Sequence, residues 1–240
     1  MLGIIESAAN LLAQAERRLE TAGQNIANVS TPGYKRRIDF SALLSANSQP
    51  LSGTATAPAM ASSDMAMDFA AGNISQTGNK FDLAIAGVGF FAVRSDEGVF
   101  YTRAGQFRRD DYGRLVTSQG LVLQLEEGGD LVMDGPNLTV AADGMVSTNG
   151  HPVGRLAVVD FEDRSRLSHI GVAAFSAEGL EAIPVSNPMV RQGMLESSNV
   201  NNGDEMVAMM EGLRRAESAQ RLVTTYDDLM GRALTLFGQQ

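Results

Sequence analysis

The sequence predicts an α+β protein: long N- and C-terminal helices forming a coiled-coil-like pair, with a central, mainly antiparallel β domain between them. Three observations carry this expectation. An apolar period of three and four residues occupies both ends of the chain; a Ser/Ala/Thr/Gly-rich stretch follows the first of these ends; and the middle consists of short apolar runs cut by glycine turns. The expected division is a helix over 1–32, an extended linker over 33–80, a β domain over 81–200 and a second helix over 201–240.

The first helix rests on Ile5, Ala8, Leu12, Ala15, Leu19, Ala22, Ile26 and Val29, an unbroken heptad stripe with Glu16, Arg17, Arg18 and Glu20 off its seam. Alanine alternates with large residues, so alternate layers are narrow and another helix can approach closely. Pro32 and Gly33 end the pattern, since the residue before a proline avoids the helical state and glycine favours a turn.

The linker carries its Ser/Ala/Thr/Gly bias over 41–72 and reads as extended chain. The apolar runs that follow start at Phe81–Ala86, Gly89–Val93 and Val99–Thr102. They continue at Arg114–Thr117, Leu121–Leu125, Leu138–Ala141 and Arg155–Phe161. Asp96-Glu97-Gly98, Asp111-Tyr112-Gly113, Glu127-Gly128-Gly129 and Ala142-Asp143-Gly144 separate them as turns, the pattern of an antiparallel β domain.

The last helix places Met206, Met209, Leu213, Ala216, Val223, Met230, Leu234 and Phe237 on one stripe, interrupted at Gln220 and Asp227. A second stripe of Leu222, Tyr226, Leu229, Ala233 and Leu236 widens the apolar arc beyond what one partner covers. Asp204 and Glu205 suit a helix N-terminus.

A net charge of -9 disfavours nucleic-acid binding and a basic membrane-surface helix. The absence of cysteine removes disulfides, thiolate metal sites and thiol nucleophiles. The first residues lack the basic region of a secretory signal, and no apolar run is long enough to span a bilayer. Gly87-Val88-Gly89-Phe90-Phe91-Ala92 imitates a dinucleotide fingerprint, but Phe90-Phe91-Ala92-Val93 continues as strand rather than helix. His151 and His169 have no metal-ligand spacing and read as solvated loop histidines. Lys35-Arg36-Arg37 reads as an exposed loop after a helix, or as a contact for acidic faces of neighbouring subunits. No catalytic, cofactor-binding or metal-binding residue is assigned, and no cofactor is expected.

The segment Asn25-Ile26-Ala27-Asn28-Val29-Ser30-Thr31-Pro32-Gly33-Tyr34-Lys35-Arg36 closely resembles the signature of flagellar rod and hook proteins. The resemblance continues through Gly72–Phe91, Tyr101–Phe107, Asp111–Val116 and Gly193–Asn201, in order along nearly the whole chain. Length, Leu138–Gly144 and Pro152–Leu156 favour the proximal rod branch of that family, with the distal rod branch second. The resemblance implies a structural subunit of the basal-body rod that transmits torque through the periplasm. It also implies export through the flagellar type III apparatus, and assembly with itself and other rod proteins through the end helices. Nucleic acid and direct membrane insertion are not expected. The rival from another class is a carbohydrate-binding or enzymatic β domain dimerised by its end helices.

Overall fold

The computed structural model describes residues 2–39 and 65–237. These fall into two compact units, the first made of 2–27, 37–39, 65–66 and 201–237, the second of 28–36 and 67–200.

The first unit holds helix α1 (Leu2–Ala27), strands β1 (Arg37–Asp39) and β2 (Met65–Met67), which pair, and helix α2 (Asn202–Phe237). With 26 and 36 residues, the helices are about 39 and 54 Å long at the usual rise per residue. Helix α1 stops at Ala27, earlier than the proline alone predicts, because Thr31 N–H closes a turn on Asn28 O at 3.0 Å. Val29 therefore lies past the helix end. Helix α2 begins where the Asn201 side chain accepts from Gly203 N–H at 3.0 Å, which satisfies one of the free amides of the first turn.

The helices pack on each other through small residues. Helix α1 buries Ala8, Ala15 and Ala22, one per heptad, and half-buries Leu12, Leu19 and Ile26. Helix α2 turns Glu205, Met209, Gly212, Ala216, Ala219, Val223 and Tyr226 inward. A Cβ at Gly212 would stand 3.1 Å from Leu19 Cγ, so the close approach depends on the missing side chain.

Of the stripe read along the last helix, Met209, Ala216 and Val223 are half-buried, whereas Met206, Leu213 and Met230 are exposed, at 55%, 49% and 40%. Ala219 and Tyr226 turn inward beside the interruptions at Gln220 and Asp227. Ile5, Leu234 and Phe237 belong to the helices, but their side chains lie outside the described residues.

The second unit is built from sixteen short strands, all antiparallel where paired. The first of them are β3 (Ile74–Gln76), β4 (Leu83–Ile85), β5 (Phe90–Ser95), β6 (Gly98–Thr102) and β7 (Phe107–Arg109). Next come β8 (Leu115–Thr117), β9 (Val122–Leu123), β10 (Leu138–Val140), β11 (Met145–Thr148) and β12 (His151–Arg155). The last are β13 (Val158–Asp160), β14 (Ser168–Ile170), β15 (Ala174–Ser176), β16 (Ile183–Pro184), β17 (Val190–Gln192) and β18 (Met194–Glu196).

One sheet runs β14-β15-β6-β5-β9-β8-β7, with β13 bridging β5 and β16; β10-β11-β12 form a second. Two-stranded pairs β4–β17 and β3–β18 return the end of the unit to its beginning. The run Arg155–Phe161 splits into β12 and β13, and the stretch expected to be linker contains β1, β2 and β3. The rest of that stretch, 40–64, lies outside the described residues. The core holds Leu83, Phe91, Leu115, Leu123, Leu131 and Leu156, each at most 1% exposed. A second cluster joins Phe90, Phe161, Leu167 and Phe175. Gly87-Val88-Gly89 turns into β5, so the fingerprint-like motif opens a strand.

Candidate functional site

The most concentrated chemistry in the second unit is one carboxylate. Glu196 ends β18 and is 1% exposed. Its Oε1 accepts from Lys35 Nζ at 2.6 Å and from Gly72 N–H at 2.9 Å; its Oε2 accepts from Arg103 Nη1 at 3.2 Å. The Glu196 carbonyl accepts from Gly33 N–H at 2.8 Å. One residue thus fastens the segment after α1, the segment after β2, the end of β6 and its own strand.

Both cations are themselves held. Lys35 Nζ donates to Ala70 O at 2.8 Å. Arg103 donates to Gly87 O at 2.8 Å and to Ile85 O at 3.3 Å, and its guanidinium lies 5.3 Å from the Phe90 ring centroid. Nearby, the Asn199 side chain accepts from Arg36 N–H at 2.7 Å and donates to Asp68 O at 2.8 Å and Ala70 O at 3.1 Å. Gly33 is required at its place: φ is +70°, and a Cβ would fall 2.2 Å from the Ala104 amide nitrogen.

Burial pushes the Lys35 ammonium below its ordinary value; the bond and charge of Glu196 oppose this, and the charge of Arg103 adds to it. Burial likewise lowers Arg103, against the pull of Glu196. Two cations therefore share one carboxylate, and each depends on it. Among the described residues the carboxylate's partners are two cations and a backbone amide, an arrangement that holds segments together.

One cleft of the unit, about 350 Å³, is lined by Asn28, Thr31, Thr102, Gln106, Thr117 and Gln119 among others, without an acid or a base. A larger and more open one, about 560 Å³, is lined by Arg94, Asp96 and Arg114 among others. Among the described residues no group of three or more acidic or histidine side chains is arranged for a metal ion.

The signature residues serve both units. Asn25, fully buried, donates from Nδ2 to Arg37 O and accepts from Arg37 N–H, both at 2.9 Å, tying α1 to β1. Ile26 is half-buried and Ala27 is the last helical residue. Asn28, Thr31 and Pro32 line the cleft, with Thr31 Oγ1 donating to Asn28 Oδ1 at 3.2 Å. Tyr34 is buried with its ring edge-on to His169, centroids 6.5 Å apart.

Two expectations are corrected here. Lys35 lies on no exposed basic loop: it is 2% exposed and bonded inside its own unit, because Glu196 supplies the counter-charge. His169 is a half-buried strand residue that packs on Phe175 and bonds Val172 O at 3.0 Å, rather than a solvated loop histidine. His151 is exposed, at the start of β12. Glu196 itself carried no periodicity and stood out only through the quoted segment Gly193–Asn201.

Three family descriptions match the chain. Residues 5–35 match "Flagella basal body rod protein", 84–148 "Flagellar hook protein FlgE/F/G D1 domain", and 191–236 "Flagellar basal body rod FlgEFG protein C-terminal". Similar proteins include the flagellar basal-body rod protein FlgF of Caulobacter vibrioides, 32% identical over 93% of each chain. The FlgF of Salmonella typhimurium is 29% identical over 95% of this chain and 96% of its own. FlgG of Bacillus subtilis, also a basal-body rod protein, is 29% identical over 98% of this chain and 99% of its own.

Proposed function

We infer, on the premise that this chain belongs to the family of flagellar basal-body rod proteins, that it is a proximal-rod subunit whose end helices form the subunit contacts. It is a structural protein of the flagellar basal body, in the rod. The proximal assignment is supported by the FlgF similarity, which covers both chains at 32% identity; the distal rod is the second reading, supported by FlgG at 29%. No helix among the described residues is long and apolar enough to cross a membrane.

One observation carries the assembly reading. Among the described residues, the fully buried apolar positions of α1 and α2 are alanine and glycine, while Met206, Met210 and Leu213 form an exposed stripe at i, i+4, i+7 on α2. Val207, Leu222 and Leu229 add to this exposed apolar surface. A helix pair that fully buries only small apolar residues and leaves these bulky ones exposed has apolar surface left for other helices. The coiled-coil character of the pair, contacts with itself and other rod proteins, passage through the type III export apparatus and torque transmission across the periplasm belong to the same proposal. No enzymatic role is assigned.

Leu19 sits at the seam, against Gly212. Leu19→Asp is expected to abolish incorporation into basal bodies and motility while the β strands stay folded by far-UV circular dichroism. Normal assembly of that variant would overturn the seam reading. Imaging basal bodies that carry a tagged copy distinguishes the proximal from the distal position.

A further inference from the structure

The contributors to the Glu196 cluster enter the chain in the order Lys35, Gly72, Arg103, Glu196. Before the last of them is in place, the pocket holds two cations without the carboxylate they both bond; the next acids, Asp68 near Lys35 and Asp160 near Arg103, are engaged by Ala70 N–H and by Arg164. Both are almost wholly buried, Lys35 at 2% and Arg103 at 6% exposure, so water cannot screen them there. Arg103, just past β6, is anchored by Ile85 O at the end of β4, by Gly87 O in the turn that follows, and over Phe90. Lys35 is the less anchored partner: among the described residues it donates, apart from Glu196, to Ala70 O alone, on another connecting segment. Repulsion therefore falls on the segment that carries Lys35.

We propose that Glu196 is a closure latch: until it seats, the Lys35–Arg103 cation pair keeps segment 33–36 off the β unit, so both connecting segments dock together or not at all. A second, half-buried polar knot has the same logic without charge. Asn199, three residues on, accepts from Arg36 and donates to Asp68 and Ala70, so its bonds also need all three passes of chain to be present. Backbone bonds from Gly33 to Glu196 O and from Ser197 to Asn73 O complete a weave that has no stable half. The inference concerns how each subunit closes, and stands whichever rod position the chain takes.

Amide exchange on the purified full chain tests it. Gly33, Arg36 and Ser197 amides report the two connecting segments, and none of the three bonds the Glu196 carboxylate. Leu115 and Leu131 amides report the core. In Glu196→Gln, which keeps the acceptor for Gly72 but removes the charge, the three reporters are expected to exchange faster by one common factor of at least about tenfold, with the core unchanged. Lys35→Met combined with Glu196→Gln leaves a single, well-anchored cation and is expected to recover most of that protection. The latch is overturned if the reporters respond unequally, or if the double variant exchanges as fast as Glu196→Gln. Should Glu196→Gln fail to fold, folding of the double variant supports the latch and its failure to fold overturns it.

Discussion

Gly105 and Gly23 undergo the same chemical change on substitution by alanine, and the structure gives them opposite signs. A Cβ at Gly105 would lie 1.5 Å from Leu83 O and 2.7 Å from Leu83 C, all backbone, where no rotamer can relieve it. Restoring ordinary van der Waals contact separates the two chains by about 2 Å. That breaks the bond from Leu83 N–H to Gly105 O, now 2.9 Å, beside a leucine with no exposure. A buried amide and carbonyl left without partners, plus the gap at Leu83, cost about 3–5 kcal/mol, a large part of the stability of an ordinary domain. Gly23 lies within α1, and a Cβ there meets nothing within 4 Å. Gly23→Ala removes backbone freedom from the unfolded chain and is expected to stabilise by about 0.5–1 kcal/mol. The chain has no tryptophan, so urea unfolding is followed by far-UV circular dichroism, with separate fits for helix and strand signals. A strand transition for Gly105→Ala at the wild-type midpoint would refute the close-approach argument. So would a larger loss at Gly23 than at Gly105.

Two further outcomes follow from the geometry. Met206→Ser with Leu213→Ser is expected to leave the purified monomer within about 0.5 kcal/mol of wild type, because both side chains are exposed there, yet to block rod assembly; monomer destabilisation of several kcal/mol would show that the stripe is internal. The Asp160 carboxyl is held below its ordinary 3.8 chiefly by the bonds Arg164 donates to it at 2.8 and 2.6 Å, against the opposing effect of burial. A depressed carboxylate stabilises fully above 3.8 and loses that contribution as pH falls through the folded value, so Asp160→Asn should flatten the acid limb of the stability curve below about pH 4.

The end helices were legible because their signal is local: a heptad stripe needs only neighbours within about two turns. Which part of the α2 arc faces α1 was not. Hydrophobicity ranks methionine and leucine above glycine and alanine, whereas the closest contact with α1 selects by volume and takes Gly212 and Ala219. Strand positions such as β5, β6 and β8 were readable from glycine turns around apolar runs. Strands β14 to β18 are two or three residues long and carry no period of their own. They exist through partners distant in the chain, as β18 does through β3. The Glu196 cluster was illegible for the same reason: it joins residues 35, 72, 103 and 196, and nothing in the local pattern of any one names the others. The trace it left was a lysine, an arginine and a glutamate, each inside a separate segment of the family resemblance.

The exposed stripe of α2 bears on function. A chain selected only to be a stable monomer gains by turning Met206 and Leu213 into the helix interface, where each buried large side chain contributes about 1.5–3 kcal/mol. Instead the most deeply buried positions of the interface are Gly212 and Ala219, and Met206 and Leu213 stand in water at about half exposure. That arrangement gives up monomer stability, and the loss is recovered only if something else covers the stripe. A membrane is a poor candidate, since Arg214, Arg215 and Arg221 alternate with Glu211 and Glu217 along the exposed turns and leave no basic polar face. Helices of neighbouring subunits, carrying the same stripe, meet the requirement. The exposed methionines and leucines of α2 are therefore a stronger sign of assembly than the buried alanines that first marked the helices.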